Sequence, residues 1–351
     1  MRLAGVGTKW VIAGAVGTAL IVGCAGSPSS AGPTTSGPVV TPTAGPPKAV
    51  KLTLNFLAGG PQMGFMYAKK LGYYKDVGLD VTIEEGQGSG STAQLIGTAK
   101  TDIGFADAPA IMSVRSKGGA IKIIAPILQT NGFAIMSLKE SNLTKVKDLV
   151  GKKVAVQAGT AQTALLDAVF LANGMDKSQV NIVNIDPSAL VGSLLQKQVD
   201  AILGGADFQG VQLADRGTQI NVLYYKDIGV PTVGLSLAAN EDLIKKDPDM
   251  IAKFVAASLK GWDAARKDPK AGAQAILEQF PAAGTVEQFQ KQAEIDFKVL
   301  CGPGAKSLGL VPTENWAKTY DLLTKYQGLP TAQPITDYYT EQFLPKNGPG
   351  C

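Results

Sequence analysis

Apolar and polar positions alternate with a period of two in a series of short segments, and with a helical period in the stretches between them. Residues 51–56 (K-L-T-L-N-F) alternate and predict a strand; residues 61–74 open on proline and predict a helix. Residues 79–84 read as a strand, and 86–90 as a glycine loop from which Ser91 or Thr92 caps a helix to residue 100. A strand at 103–106, a helix at 109–117 and a strand at 121–127 follow. From residue 153 the grammar repeats. Strands at 153–157, 180–185, 200–203 and 220–225 are interleaved with helices from Gly159-Thr160 to 173, at 188–197 and at 207–216. Such alternation predicts an α/β protein with parallel sheets. One helix ends Lys100-Thr101-Asp102 before a strand and then Asp107, and another ends Lys197-Gln198-Val199-Asp200 before a strand and then Asp207. The echo points to two similar units. Two apolar strands without helical partners, 133–138 and 232–238, flank the second unit and are expected to cross between them. Beyond residue 247 the period is helical, at 248–267, 269–280, 286–300 and 313–326, and these helices are expected to pack around the first unit.

The N-terminal stretch has a different character. Arg2 and Lys9 precede an uncharged apolar run over 10–22, which ends at Gly23-Cys24. A charged start, a short apolar run and a small residue form an export signal, and the run is shorter than the ~20 residues of a membrane-spanning helix. Ile21-Val22-Gly23-Cys24 resembles the lipobox of bacterial lipoproteins, so Cys24 is the expected lipidation site. Residues 25–47 are Ala, Gly, Ser, Pro and Thr apart from Val39 and Val40, a composition that buries nothing and serves as a tether. The expectation is an exported protein, lipid-anchored to the outer face of the cell membrane. Residues 1–23 are then signal peptide and 24–48 a lipidated tether. Of the three cysteines, lipidation of Cys24 leaves Cys301 and Cys351, an even remainder that predicts a disulfide holding the C-terminal tail.

At about 150 residues per domain, 351 residues suggest two domains. Lys and Arg total 33 against 29 Asp and Glu, a net charge of +4 that gives no electrostatic reason to expect nucleic acid as a partner. The chain contains no histidine, which excludes Ser–His–Asp and Cys–His catalysis and every His-ligated metal site. The glycine loop has neither GxGxxG spacing nor GK[ST], so no nucleotide and no cofactor is expected.

Leu71-Gly72-Tyr73-Tyr74-Lys75-Asp76-Val77-Gly78-Leu79-Asp80-Val81 resembles a signature of periplasmic solute-binding proteins that serve ABC importers. The branch it is similar to is the SsuA-like one, which takes sulfonates, nitrate, taurine and thiamine-pyrimidine precursors. Leu95 to Phe105, Asp148 to Val154, and Asn240 to Asp263 match in the same order. The resemblance covers roughly residues 50–300. It implies a two-lobe periplasmic-binding-protein type 2 fold with two crossover hinge strands: residues 49–135 and 236–351 form a discontinuous first lobe, and 136–235 the second. It also implies a monomer that closes on a small-molecule solute and delivers it to a permease in the membrane. A related branch makes a thiamine pyrimidine with an active-site histidine, which this chain lacks. A sensor that presents its closed form to a membrane receptor is a further possibility.

In α/β sheets ligands sit beyond the C-terminal ends of the strands. Those positions give Asn55, Gly60, Gln62, Ser89, Gly90, Ser91, Thr92 and Asp107 in the first unit as candidate ligand contacts. The second contributes Gln157, Thr160, Ala161, Gln162, Asp207 and Phe208. None is basic and two are aspartates, which favours N–H donors or positive charge on the solute over a bare anion. Among solutes of the resembled branch an aminopyrimidine or another nitrogen heterocycle fits best, with taurine or another sulfonate, and nitrate, as alternatives. Asp107 and Asp207 could equally cap the helices that follow them.

Overall fold

A computed structural model describes residues 45–301 and 304–351; Cys24 and the export signal lie outside the described residues. In chain order the strands are β1 (Lys48–Thr53), β2 (Leu79–Glu84), β3 (Ile103–Asp107), β4 (Ile121–Pro126) and β5 (Phe133–Leu138). They continue as β6 (Lys153–Val156), β7 (Asn181–Asn184), β8 (Ala201–Gly205), β9 (Ile220–Tyr224) and β10 (Leu235–Asn240). Two five-stranded sheets form, in the orders β2-β1-β3-β10-β4 and β7-β6-β8-β5-β9.

Each sheet is mixed rather than wholly parallel. β1 runs parallel to β2 and β3, while β10 pairs antiparallel with both β3 and β4. In the second sheet β6 runs parallel to β7 and β8, and β5 pairs antiparallel with β8 and β9. The reversed strand in each sheet is the one whose chain has just arrived from the other lobe. The two apolar strands therefore do not themselves span the lobes. β5 lies wholly in the second sheet and β10 in the first; the crossings are made by the segments just before them. Those two segments are hydrogen-bonded side by side. The N–H groups of Ile127 and Leu128 donate to the Leu235 carbonyl at 2.9 and 3.0 Å, Gly234 N–H donates to Leu128 O at 3.1 Å, and Asn131 N–H to Thr232 O at 3.2 Å.

The repeated sequence has a repeated structural job. Asp102 accepts the Lys51 N–H at 2.8 Å in the first lobe, and Asp200 accepts the Lys153 N–H at 2.8 Å in the second. Asp102 ties Lys51 of β1 to the start of β3, and Asp200 ties Lys153 of β6 to the start of β8. The helix expected over 61–74 is interrupted: it runs Met63–Lys70, and Gly72 at φ +79° starts a new turn, Tyr73–Asp76. A left-handed residue ends a helix, and glycine takes that conformation without a Cβ penalty.

One face of the first sheet packs on the helices Met63–Lys70, Pro248–Lys267, Pro269–Gln279 and Val286–Phe297, with Phe65, Phe105, Phe254 and Trp262 at the centre. Trp262 is fully buried between the Phe65 and Phe105 rings, the packing role its apolar helical spacing implies. The last long helix, Thr313–Gln327, departs from the expectation that the C-terminal helices pack on the first lobe alone. Its Trp316, Leu322 and Leu323 share a core with Leu166, Val169 and Phe170 of the second lobe as well as Ile111 and Ile123 of the first, and Thr319 Oγ1 accepts the Val233 N–H from a crossing segment at 2.9 Å. The Cys301–Cys351 disulfide forms, with the Cα atoms 5.6 Å apart. It fastens the tail beside Arg266, whose guanidinium donates to Gly350 O at 2.6 Å.

Candidate functional site

The cleft between the sheets lies at the strand C-terminal ends. Asn55 and Phe56 follow β1, Ser89 opens the helix Ser89–Gly97, and Asp107 ends β3. From the other side come Thr160, Gln162, Gly205, Asp207, Phe208 and Gln209, and the crossing segments supply Leu128, Asn131, Gly132 and Phe133. They enclose a cavity of about 70 Å³, room for a few waters. Lysine and arginine are absent from this lining.

The acidic residues are not caps. Asp107 stands at the N-cap position of Ala108–Ser116 but makes no capping bond; its Oδ2 accepts from Ser89 Oγ at 2.7 Å, and its N–H donates back to Ser89 Oγ at 3.1 Å. Burial drives its carboxyl up to about 7; the Ser89 bond opposes the shift and the charge of Asp207 adds to it. Asp207 sits in a wide π-type turn, Ala206–Gly210, which replaces the start of the helix predicted at 207, a geometry frequent at functional sites. Burial raises its carboxyl too, while bonds from its own N–H, from Asp296 and from Phe208 N–H hold the rise back. Gly132 and Gly205 leave room for that carboxyl: a Cβ on them would stand 3.2 and 2.2 Å from Asp207 Oδ1.

Gln62 is 1% exposed. Its amide donates to Asn55 Oδ1 at 2.8 Å, which leaves the buried Oε1 without a partner. An unpartnered buried acceptor in a ligand cleft calls for an N–H donor. Phe56 and Phe208 meet edge to face across the cleft with centroids 5.4 Å apart, and both are half-buried.

Of the candidate residues, Asn55, Gln62, Ser89, Asp107, Thr160, Gln162, Asp207 and Phe208 come together on this cavity. The others take different places. Gly60 is buried against the helix Val286–Phe297, donating its N–H to Gln292 Oε1 at 2.9 Å. Gly90, with Ala161, lines a separate groove beside it. Ser91 and Thr92 border a third depression on the first lobe, and Thr92 Oγ1 is tied to Leu54 O at 2.8 Å. Gln157 reaches across the mouth to donate to Gln87 O at 3.3 Å. The two glycine loops meet each other: Gly90 N–H donates to Gly159 O at 3.1 Å. They are the lips of the cleft, and mainly Ser89 and Thr160 face inward.

Sequence reasoning missed Phe56, Asn131, Phe133 and Gln209, and also Asp296. Asp296 is 1% exposed in the helix Val286–Phe297, behind the cavity wall, with its carboxyl against that of Asp207. Burial, the charge of Asp207, a bond to Asp207 and the charge of Asp107 together raise it well above the ordinary carboxylate range.

A family model described as NMT1/THI5 like matches residues 61–272, well over half of the chain. The chain belongs to this family. The NMT1/THI5-like chain is 23% identical over 328 residues to the riboflavin-binding protein RibY of Chloroflexus aurantiacus, covering 89% of this chain and 93% of that one. With the formylaminopyrimidine-binding protein of Halalkalibacterium halodurans it shares 25% identity over 232 residues, 64% of this chain and 70% of that one. Its fold is that of the periplasmic aliphatic sulphonate binding protein SsuA from Escherichia coli: TM-score 0.65 at 16% identity, over 84% of this chain and 97% of that structure. The two-lobe α/β architecture expected from the sequence is thus the fold of this NMT1/THI5-like protein.

Proposed function

We propose that this protein captures a small, planar, N–H-rich solute between its lobes and delivers it to an ABC permease. The observation that carries the reading is the chemistry of the cleft wall: Asp107, Asp207 and the unpartnered Gln62 Oε1 face a cavity without a basic side chain. Charge-assisted acceptors of this kind favour amino groups and ring N–H over sulfonate or nitrate, whose oxygens would meet carboxylates. The half-buried pair Phe56 and Phe208 supplies an apolar edge for a flat ring. Two relatives are named for nitrogen heterocycles, a flavin and a formylaminopyrimidine. The small cavity supports the single ring, a thiamine-precursor-like pyrimidine. The reading is one of binding without turnover, since the histidine used by the pyrimidine-synthesising branch has no counterpart in this chain.

Calorimetric screening of pyrimidines, flavins, sulfonates, nitrate and amino acids against the wild type and Asp107→Asn tests this. Saturable binding of an aminopyrimidine, weakened by Asp107→Asn, is expected. Tight nitrate or sulfonate binding that survives neutralising either aspartate would overturn the reading. Anchoring through a lipidated Cys24 belongs to the same proposal and rests on Gly23-Cys24 and the tether. Intact-mass analysis of the membrane fraction is expected to find a chain beginning at Cys24 with added acyl mass.

A further inference from the structure

The helix Val286–Phe297 belongs to the first lobe, and the segment 206–215 to the second. Between them two contacts cross the cleft. One is on the surface, where Lys291 Nζ stands 2.8 Å from Asp215 Oδ1 and also pairs with Glu287 at 2.8 Å. The other is internal, where the carboxyls of Asp296 and Asp207, both buried, lie against each other and are placed to share a hydrogen bond. Two carboxylates make such a bond only when one carries a proton. Asp296 Oδ2 has no hydrogen-bond partner among N–H and O–H donors, although the residue is almost wholly enclosed. The charges acting on Asp296 come from Asp207 and Asp107, both acidic. Asp107 and Tyr224 also feel the charge of Asp207, and both are raised by burial first. Lys291, on the same helix, is engaged by Asp215 and Glu287.

We propose that Asp296 is a positioning residue, which carries a proton across the cleft to Asp207 and thereby fixes that carboxylate for the solute and holds the lobes together. The inference rests on the reading of the cleft as a solute site. The proton does two things. It cancels one of three acidic charges crowded behind the cavity, so the cleft can close without unscreened repulsion. It also occupies one oxygen of Asp207, directing the remaining acceptor capacity into the cavity. Removal of the proton at alkaline pH would place like charges face to face on opposite lobes, and closure would fail. An asparagine at 296 supplies an amide N–H to Asp207 at every pH and replaces the proton permanently; an alanine supplies nothing.

Three measurements on the full chain test the assignment. Carbon-13 NMR of the aspartate carboxyls, without ligand, is expected to show Asp296 protonated well above the ordinary carboxylate range; titration within that range would overturn the proposal. Solution scattering is expected to show the wild type expanding as this proton leaves, with Asp296→Asn compact throughout; parallel expansion of the asparagine variant would also overturn it. With 4-aminopyrimidine as the probe, Asp296→Asn should bind within about threefold of the wild type, and Asp296→Ala about tenfold more weakly. Equal binding by wild type and the alanine variant would refute the positioning role. If the wild type binds no pyrimidine at all, the solute reading falls, and the NMR and scattering still decide the proton.

Discussion

Asp107 shows how a single residue can couple recognition to stability. A carboxyl raised from 3.8 to about 7 by burial holds a proton in the folded state that the unfolded chain releases. The wild type is therefore most stable below about pH 4 as far as this group is concerned, and loses that contribution as the pH rises towards 7. Asp107→Asn should flatten the dependence. At pH 8 it should be more stable than the wild type by on the order of 4 kcal/mol, at about 1.36 kcal/mol for each tenfold change in proton affinity, because it still accepts from Ser89 and buries no charge. Urea melts of both proteins between pH 4 and pH 8 check this; parallel curves would show that Asp107 does not hold the proton. Gly90 poses a steric question of the same size. A Cβ there would stand 2.7 Å from Gly159 O on the opposite lobe, inside any real contact. Gly90→Ala should leave the melting temperature of the ligand-free protein within a few degrees, yet weaken solute binding at least severalfold by keeping the lips apart. Calorimetry beside thermal melting separates the two effects, and unaltered affinity would mean that the lips need not touch.

At the scale of elements, the fold was legible wherever local patterning and long-range structure agree. The repeated aspartate before a strand, Asp102 and Asp200, was visible as an echo and proved to be the same backbone tie in both lobes. Asp107 and Asp207 could be found because they follow buried strands, where an acidic residue has no solvation to explain it. Asp296 could not. In V-E-Q-F-Q-K-Q-A-E-I-D-F it falls on the face of Phe289 and Ala293, which packs into the first-lobe core, but an acidic residue near a helix end reads as a solvated position, and nothing in the local pattern signals a second carboxyl facing it. Phe56 was hidden differently, as the last apolar position of a predicted strand that in fact ends at Thr53 and turns toward the cleft. The tail was readable from cysteine parity alone. Breaking the Cys301–Cys351 bond by Cys351→Ser should cost about 3–4 kcal/mol if loop entropy dominates. Denaturant unfolding of the variant checks this, with the reduced wild type as its control. The buried Phe343 and the Leu308 N–H bond to Pro349 O make a local loss of tail packing the expected first event.

The whole molecule turns on the two crossing segments. They lie side by side and hydrogen-bond to each other through residues 127–131 and 232–235, so a rotation of one lobe bends both strands of a single narrow ribbon. Rotation about such a ribbon changes few contacts. Most of what holds the lobes together lies instead at the cleft lips, at the Asp207–Asp296 pair and along the helix Thr313–Gln327. That helix shares a core with Ile111 and Ile123 of the first lobe as well as Val169 and Phe170 of the second, and its Thr319 accepts the Val233 N–H of the ribbon, so it ties lobes and ribbon together and limits how far the hinge can swing. A bound solute adds contacts to both walls at once and shifts the population toward closure by its differential affinity for that state. Solution scattering is therefore expected to give a smaller radius of gyration with saturating solute than without, and a larger ligand-free radius for Thr319→Val, which removes the acceptor of the Val233 N–H. Identical scattering curves with and without solute, at concentrations where calorimetry shows saturation, would mean that the lobes are already locked and that the solute enters by local movement of the lips alone.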